Sequence, residues 1–285
     1  MMAYASEQTY ENFDELLNVV CDKDIPLWDE TCDKDAYIST RADKGHRWCY
    51  NATLEDAIKM GRLGWVEGRK NMSKNLELAH KSTNWERLPD YEYDVAGYIP
   101  NIPLYVSGSP AHMMLPSGKE NSPRKTIEIV MHVGARSGIS ADTIVYRGAS
   151  ILSLVDKLED QGISCHLTGC YYAEGNTGYG KRLVEFTIKR SGQPMDIDRC
   201  AFIMTHPAMQ RRILFRLLEQ DPKAHKDFSR AYGRSVDVPL HMRTGKIYFP
   251  YINNMKAQSI EHGVSMAVNI YERQINGKDW DGRSV

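Results

Sequence analysis

Between residues 125 and 173 the hydrophobic pattern changes period twice. Ile127, Ile129, Met131 and Val133 alternate with Glu128, Val130 and His132, which predicts a strand. Ile151, Leu152, Leu154, Val155 and Leu158 then fall at helical spacing until Gly162, and Ile163, Leu167, Tyr171 and Tyr172 supply a second strand-forming run. A helix between two such strands normally makes a right-handed parallel crossover, so the stretch reads as a βαβ unit at the centre of the fold.

The flanks read less regularly. Phe13, Leu16, Leu17 and Val20 mark a short amphipathic helix near the N-terminus. Residues 28–49 read as an irregular connector held by Trp28 and Trp48; Thr53 and Asp56 then form a weak capping box for a second helix, with Gly61 and Gly64 at its end and a third helix from Arg69 to about Thr83. Prolines at 89, 100, 103, 110, 116 and 123 exclude a long regular element between residues 89 and 124, yet that stretch is too apolar for a free linker. Residues 181–190 alternate as a strand, and residues 196–205 read as a helix. Pro207 opens another helix with a Met209, Ile213, Leu217 stripe that stops at Asp221-Pro222. Residues 222–244 read as loop, 246–250 as a short strand, Ile260 to Tyr271 as a last long helix, and the tail from Asn276 as frayed. The organisation predicted is a mainly helical N-terminal region (1–88), an extended proline-rich connector (89–124), an α/β domain (125–275) and a tail (276–285). The fold class is α/β, with a Rossmann-like sheet and flanking helices.

Composition changes this picture little. Hydrophobic residues at 42% and charged residues at 26% of 285 belong to an ordinary globular chain. No apolar run reaches the ~20 residues of a membrane helix, no secretory signal is legible, and a cytoplasmic setting is expected. Six cysteines without a C-x-x-C pair argue against a zinc ribbon or a disulfide scaffold. Charge matters more. Residues 1–35 carry ten carboxylates against Lys23 and Lys34, whereas residues 181–216 carry eight basic side chains against Glu185, Asp196 and Asp198. The two regions either attract each other or meet outside partners, or they are simply solvated faces.

Candidate chemistry is sparse. Residues 175–182, GNTGYGKR, mimic a phosphate loop, but Arg182 stands where Ser or Thr should ligate magnesium and a strand follows where a helix is required, so a Gly-rich turn explains them. His132, Arg136 and Ser137 sit at the C-terminal rim of the first central strand, where open α/β sheets bind ligands, and His206 precedes Pro207, Arg211 and Arg212. A His at such a helix start is more often structural than phosphate-binding, and Trp48 and Trp65 read as core anchors. Lys181, Arg182, Lys189, Arg190, Arg211 and Arg212, with Tyr179 and also Tyr171 and Tyr172 for stacking, form the candidate partner or nucleic-acid surface. Strand alternation places Lys181 and Lys189 on the side opposite Arg182 and Arg190.

Two resemblances extend this reading. The strand, the loop HVGARSG and the helix GASILSLVDKLEDQG resemble the opening of a von Willebrand factor A domain over residues 125–275. That family holds a metal through Asp-x-Ser-x-Ser. Here His132, Gly134 and Arg136 occupy those positions, so the resemblance implies a degenerate fold of that kind without its metal. NFDELLNVV, RWCYNATLEDAIKMGRLGWVEG and AFIMTHPAMQRRILF are similar to a family of uncharacterised bacteriophage proteins, which implies viral origin and expression in a host cytoplasm. No catalytic residue, cofactor or metal is expected. The function expected is a non-enzymatic protein that binds a phage or host protein, with single-stranded nucleic-acid binding as the alternative and a phosphate-handling enzyme using His132, His206 and Arg211 as a third reading.

Overall fold

The computed structural model describes residues 5–25, 27, 39–40, 47–82, 92–95, 99–100, 105–115, 126–135, 138–175, 180–228, 232, 234–243 and 245–283. Trp28, Tyr179, Arg136 and Ser137 lie outside the described residues. The central crossover is present: β5 (Thr126–His132) and β6 (Ser164–Glu174) pair in parallel, joined by the long helix α4 (Ala141–Asp160). Ser140 caps that helix by accepting the Thr143 N–H at 3.2 Å. On one side of the crossover β9 (Ile247–Phe249) joins β5 in parallel. On the other, β7 (Lys181–Lys189) runs antiparallel to β6, and β1 (Ala5–Tyr10) runs parallel to β7. The result is a six-stranded, mostly parallel sheet ordered β1-β7-β6-β5-β9, with the two-residue β8 (Arg234–Ser235) also paired to β6.

Periodicity of two divides this sheet into unequal faces. In register, Ile129, Leu167, Ile247, Met131, Phe249, Tyr171, Val184, Phe186 and Tyr10 share the first face and lie in or against the main core. Helices cover that face. They are α1 (Phe13–Cys21), α2 (Leu54–Leu63), α3 (Val66–Ser82), α4, α5 (Ile197–Thr205), α6 (Phe215–Glu219) and α8 (Ile260–Ile275). The second face carries Val130, Cys170, Tyr172, Leu183 and Tyr248, roofed by Val236, Val238, Met242 and Trp280. Farther along it, Lys246 bonds Glu128 at 3.0 Å and lies 4.0 Å from Glu185. The sheet is thus helix-covered on one face among the described residues, whereas a doubly wound sheet carries helices on both.

Several expectations are met closely. Thr53 and Asp56 form a complete capping box on α2, and residues 197–205 and 260–275 are helices. Gly175 N–H bonds the Gly180 carbonyl at 2.7 Å, closing the β6–β7 turn that mimicked a phosphate loop. Others need correction. β1 lacks a strong β signature and gains its strand conformation from pairing with β7. Residues 222–244 are not all loop, since they hold β8, α7 (His225–Phe228) and short 3-10 turns. The proline-rich stretch carries a small antiparallel sheet of β2 (Glu92–Asp94), β4 (Met113–Leu115) and β3 (Ile99–Pro100). The helix after Pro207 opens as a π-helical turn, residues 209–214. The tail is docked, not frayed: Asp279 is buried and Trp280 packs against both cores.

Edge treatment differs at the two sides of the sheet. At β9 the Gln274 side chain of α8 accepts the Tyr248 N–H at 2.8 Å and donates to the Tyr248 carbonyl at 3.0 Å, filling the position of a next strand. No described helix is long and apolar enough to cross a membrane. Within the first face, Gly169 of β6 lies under Phe186, and a Cβ there would stand 2.5 Å from the ring. Gly169→Val should therefore destabilise by about 2–3 kcal/mol through overpacking, read as a lower urea midpoint at unchanged slope. A midpoint equal to that of the parent chain would refute this packing.

Candidate functional site

In parallel sheets ligands gather beyond the carboxyl ends of the strands, and here that rim lies beyond β5, β6 and β9 at the start of α4. His132 ends β5 fully buried on the second face. Its Nδ1 accepts the Gly134 N–H at 3.0 Å, and its Nε2 sits against the Tyr172 backbone, 3.1 Å from the N–H and 3.2 Å from the carbonyl. The Tyr251 ring meets the imidazole edge-on at 5.5 Å. Burial pushes the His132 pKa down to about 3, so the ring is neutral across the physiological range. A Cβ on Gly134 would meet that ring, the Ser235 hydroxyl and the Tyr171 ring, which explains glycine at this loop position.

The loop itself is held from outside. Gln210 accepts the Ala135 N–H at 2.7 Å, and Trp48 donates its indole N–H to the Ile139 carbonyl at 2.7 Å. Gln210 belongs to the π-helical turn, whose wider spacing brings a polar side chain inward from an otherwise apolar stripe. Tyr171 hydrogen-bonds with Gln210 and Ser235, and burial raises its phenol pKa. Across the rim Asp237 accepts from the Tyr248 hydroxyl at 3.1 Å, from the Tyr251 N–H at 2.6 Å and from the Asn254 amide. Arg147 reaches in from α4, donating to the Pro250 carbonyl at 2.7 Å, and burial lowers its pKa to about 10.

This arrangement fixes loops more readily than it reacts. Its histidine has both nitrogens committed, and its carboxylate is saturated with donors. Burial raises the Cys170 thiol pKa well above the usual range, so the reactive thiolate is suppressed. No group of three or more metal-binding side chains occurs among the described residues. His206 behaves like His132: it caps the end of α5, accepts the Ala208 N–H at 3.0 Å, and lies 4.5 Å from the Trp65 ring centroid. Burial lowers its pKa to about 3 as well.

The six basic candidates do not converge. Arg182 is buried against Asp221 at 3.0 Å, Gln8 at 2.6 Å and the Leu217 carbonyl at 3.2 Å. Arg212 is buried on the carbonyls of Ala52 at 2.9 Å and Ser39 at 3.1 Å. Lys189 is buried against Glu159 and the Cys165 carbonyl. Simple alternation fails at Lys189, because a register shift leaves Ile188 unpaired and turns Lys189 to the helical face, the side of Arg182. Lys181 and Arg190 are exposed, Arg190 lying 3.6 Å from Glu11. Arg211 lies over the Trp48 ring at 5.5 Å. Tyr171 and Tyr172 are buried and offer no stacking platform. The opposite charges of the two segments meet internally: Arg199 forks onto Asp14 at 2.9 and 3.0 Å, beside the Arg190–Glu11 contact.

Gln210, Asp237 and Arg147 escaped the sequence reading. A glutamine within the mostly apolar run AFIMTHPAMQRRILF, and an arginine in a helix that otherwise carries no basic residue before Lys157, were the signals for Gln210 and Arg147.

Both buried histidines have folded pKa values depressed from 6.5, so the unfolded chain takes up protons that the folded chain refuses. Stability present at pH 7 is lost as the pH falls from 6.5 towards 3. Glu219, whose carboxyl is raised above 4.5 by burial, works in the opposite sense, favouring the folded state as the pH falls through its own value. His132→Gln should lower stability at pH 7 and flatten the loss between pH 6 and 4 by up to about 1.4 kcal/mol per pH unit. Urea midpoints across that range measure it, and equal slopes in both proteins would contradict a neutral, buried His132.

A family model described as Domain of unknown function (DUF7192) matches residues 5–275. No curated protein and no solved structure matches the chain.

Proposed function

The chain belongs to the DUF7192 family across the sheet and the N-terminal helices alike, and on that premise we propose that it is a non-enzymatic protein-interaction protein. One observation carries this reading: the rim where an α/β enzyme presents its reacting groups holds a neutral histidine and a saturated aspartate, both committed to fixing loops. Catalysis needs an acid, base or nucleophile near its working pKa, and His132, His206 and Cys170 are all displaced from theirs. The phosphate-handling reading is weakened on the same ground.

Nucleic-acid binding through residues 181–216 is the second reading and has less support. Arg182, Lys189 and Arg212 would have to leave buried partners before neutralising a phosphate, and Arg190 and Arg199 face carboxylates of the acidic N-terminal segment. The resemblance to bacteriophage proteins supports a phage or host protein as partner, met in a host cytoplasm. The β5–α4–β6 crossover supports a von Willebrand A-like ancestry, in a form that has lost the oxygen ligands at His132 and Gly134.

Affinity capture from nuclease-treated lysate of infected cells should return protein partners, and single-stranded DNA titrated at low salt should show no saturable complex. Capture abolished by nuclease, together with a DNA complex that weakens steeply as salt rises, would reverse the order of the two readings.

A further inference from the structure

The docked tail sits in a groove whose walls are chemically distinct. Its floor is the apolar half of the second sheet face, Val130, Tyr172, Leu183 and Tyr248. Arg243 lies 4.6 Å above the Tyr248 ring and donates to Asp279 at 2.9 Å, with both charged side chains at most 6% exposed. Asp279 also accepts the Trp280 N–H at 2.8 Å, and the Trp280 ring packs against the groove floor. The fit is incomplete. Nε and one terminal nitrogen of Arg243, and the Trp280 indole nitrogen, are buried without a hydrogen-bond partner among the described residues. A single bond to Asp279 uses little of a guanidinium able to grip a carboxylate through two parallel N–H groups.

We infer that Arg243, Tyr248 and the apolar second face form a docking groove for a short partner segment carrying an acidic residue followed by an aromatic one, and that Asp279 and Trp280 plug it in cis. The inference rests on the reading of the chain as a protein-interaction protein, and it names the surface and the partner's chemistry. Charge complementarity selects a carboxylate over a neutral side chain, because Arg243 stays charged when buried. The apolar floor selects a ring beside that carboxylate, as Trp280 demonstrates in cis. A partner carboxylate seated in the guanidinium fork would satisfy a donor that Asp279 leaves unused, so a foreign segment can outbind the plug once it competes with the plug's tethering. The groove lies within residues 5–275, whereas the plug follows Gly277, which turns the chain at φ +74° just beyond the end of α8.

The test uses the full chain and a fluorescein-labelled peptide with the sequence of residues 277–285, GKDWDGRSV. Anisotropy should show the Asp279→Ala/Trp280→Ala chain binding this peptide about 100-fold more tightly than wild type, because a tether confers a high effective concentration on the plug. Adding Arg243→Gln to that variant, or replacing the peptide's aspartate at position 279 by asparagine, should weaken binding at least about 10-fold. A double variant that keeps a cooperative thermal transition yet fails to bind, or binds regardless of Arg243, overturns the proposal. Should the double variant not fold, wild type decides: excess peptide should raise amide hydrogen exchange over residues 276–283, and unchanged exchange at saturating peptide overturns it. A wild-type dimer that the peptide dissociates would assign the groove to a second copy and overturn the partner reading. Equal capture of partners by wild type and double variant would overturn the groove while leaving the protein-interaction reading standing.

Discussion

A guanidinium keeps its charge on burial, so a chain that buries several must build partners around each. Arg147, Arg182, Arg212 and Arg243 are all at most 6% exposed, and the acceptors they find lie far away in sequence. Arg182 joins β7 to β1 and to the end of α6, and Arg212 draws Ser39 and Ala52 to the π-helical turn. Arg147 fixes the turn after β9. These are the segments with least regular structure of their own. Hydrophobic burial of the first sheet face supplies the driving force, but the arginines specify where the irregular stretches sit, since an unpaired buried guanidinium would cost several kcal/mol.

The regular part of this architecture was legible because each element follows its own period. The β5–α4–β6 crossover, the capping box at Thr53 and the long C-terminal helix all declare themselves in contiguous sequence. What was hidden depends on distant contacts. β1 reads as a polar leader because Glu7 and Thr9 project from an exposed edge, while its partner lies far along the chain. Lys189 looked exposed because alternation assumes an unbroken ladder, and the slip at Ile188 is a property of the strand pair. The tail looked frayed because Asp279 and Trp280 gain meaning only beside Arg243 and Tyr248. His132 does end β5 at the rim, but the groups that hold the loop after it, Gln210 and Asp237, come from the π-helical turn and from the irregular stretch after β8.

Charge segregation illustrates the same division. Ten carboxylates near the N-terminus and a basic stretch around residues 181–216 left three readings open: mutual attraction, outside partners or solvated faces. In the fold, Arg190 and Arg199 meet Glu11 and Asp14, while Arg182, Lys189 and Arg212 are buried on other partners. Sequence-level charge says how much field is available; only topology says whether it points outward.

The parallel pairing of β1 with β7 joins Ala5 to Lys181. During synthesis from the N-terminus, β1 and α1 leave the ribosome well before β7, the strand on which β1 pairs. Phe13, Leu16, Leu17 and Val20 are buried in the finished molecule, and until β7 and α5 are made the neighbour this helix can meet is α2, whose Gly61 lies against Phe13 and Leu17. Glu11 and Asp14 beside it find their cations, Arg190 and Arg199, only after that later part of the chain has been made, so the N-terminal helix is locked in place by charges that arrive late.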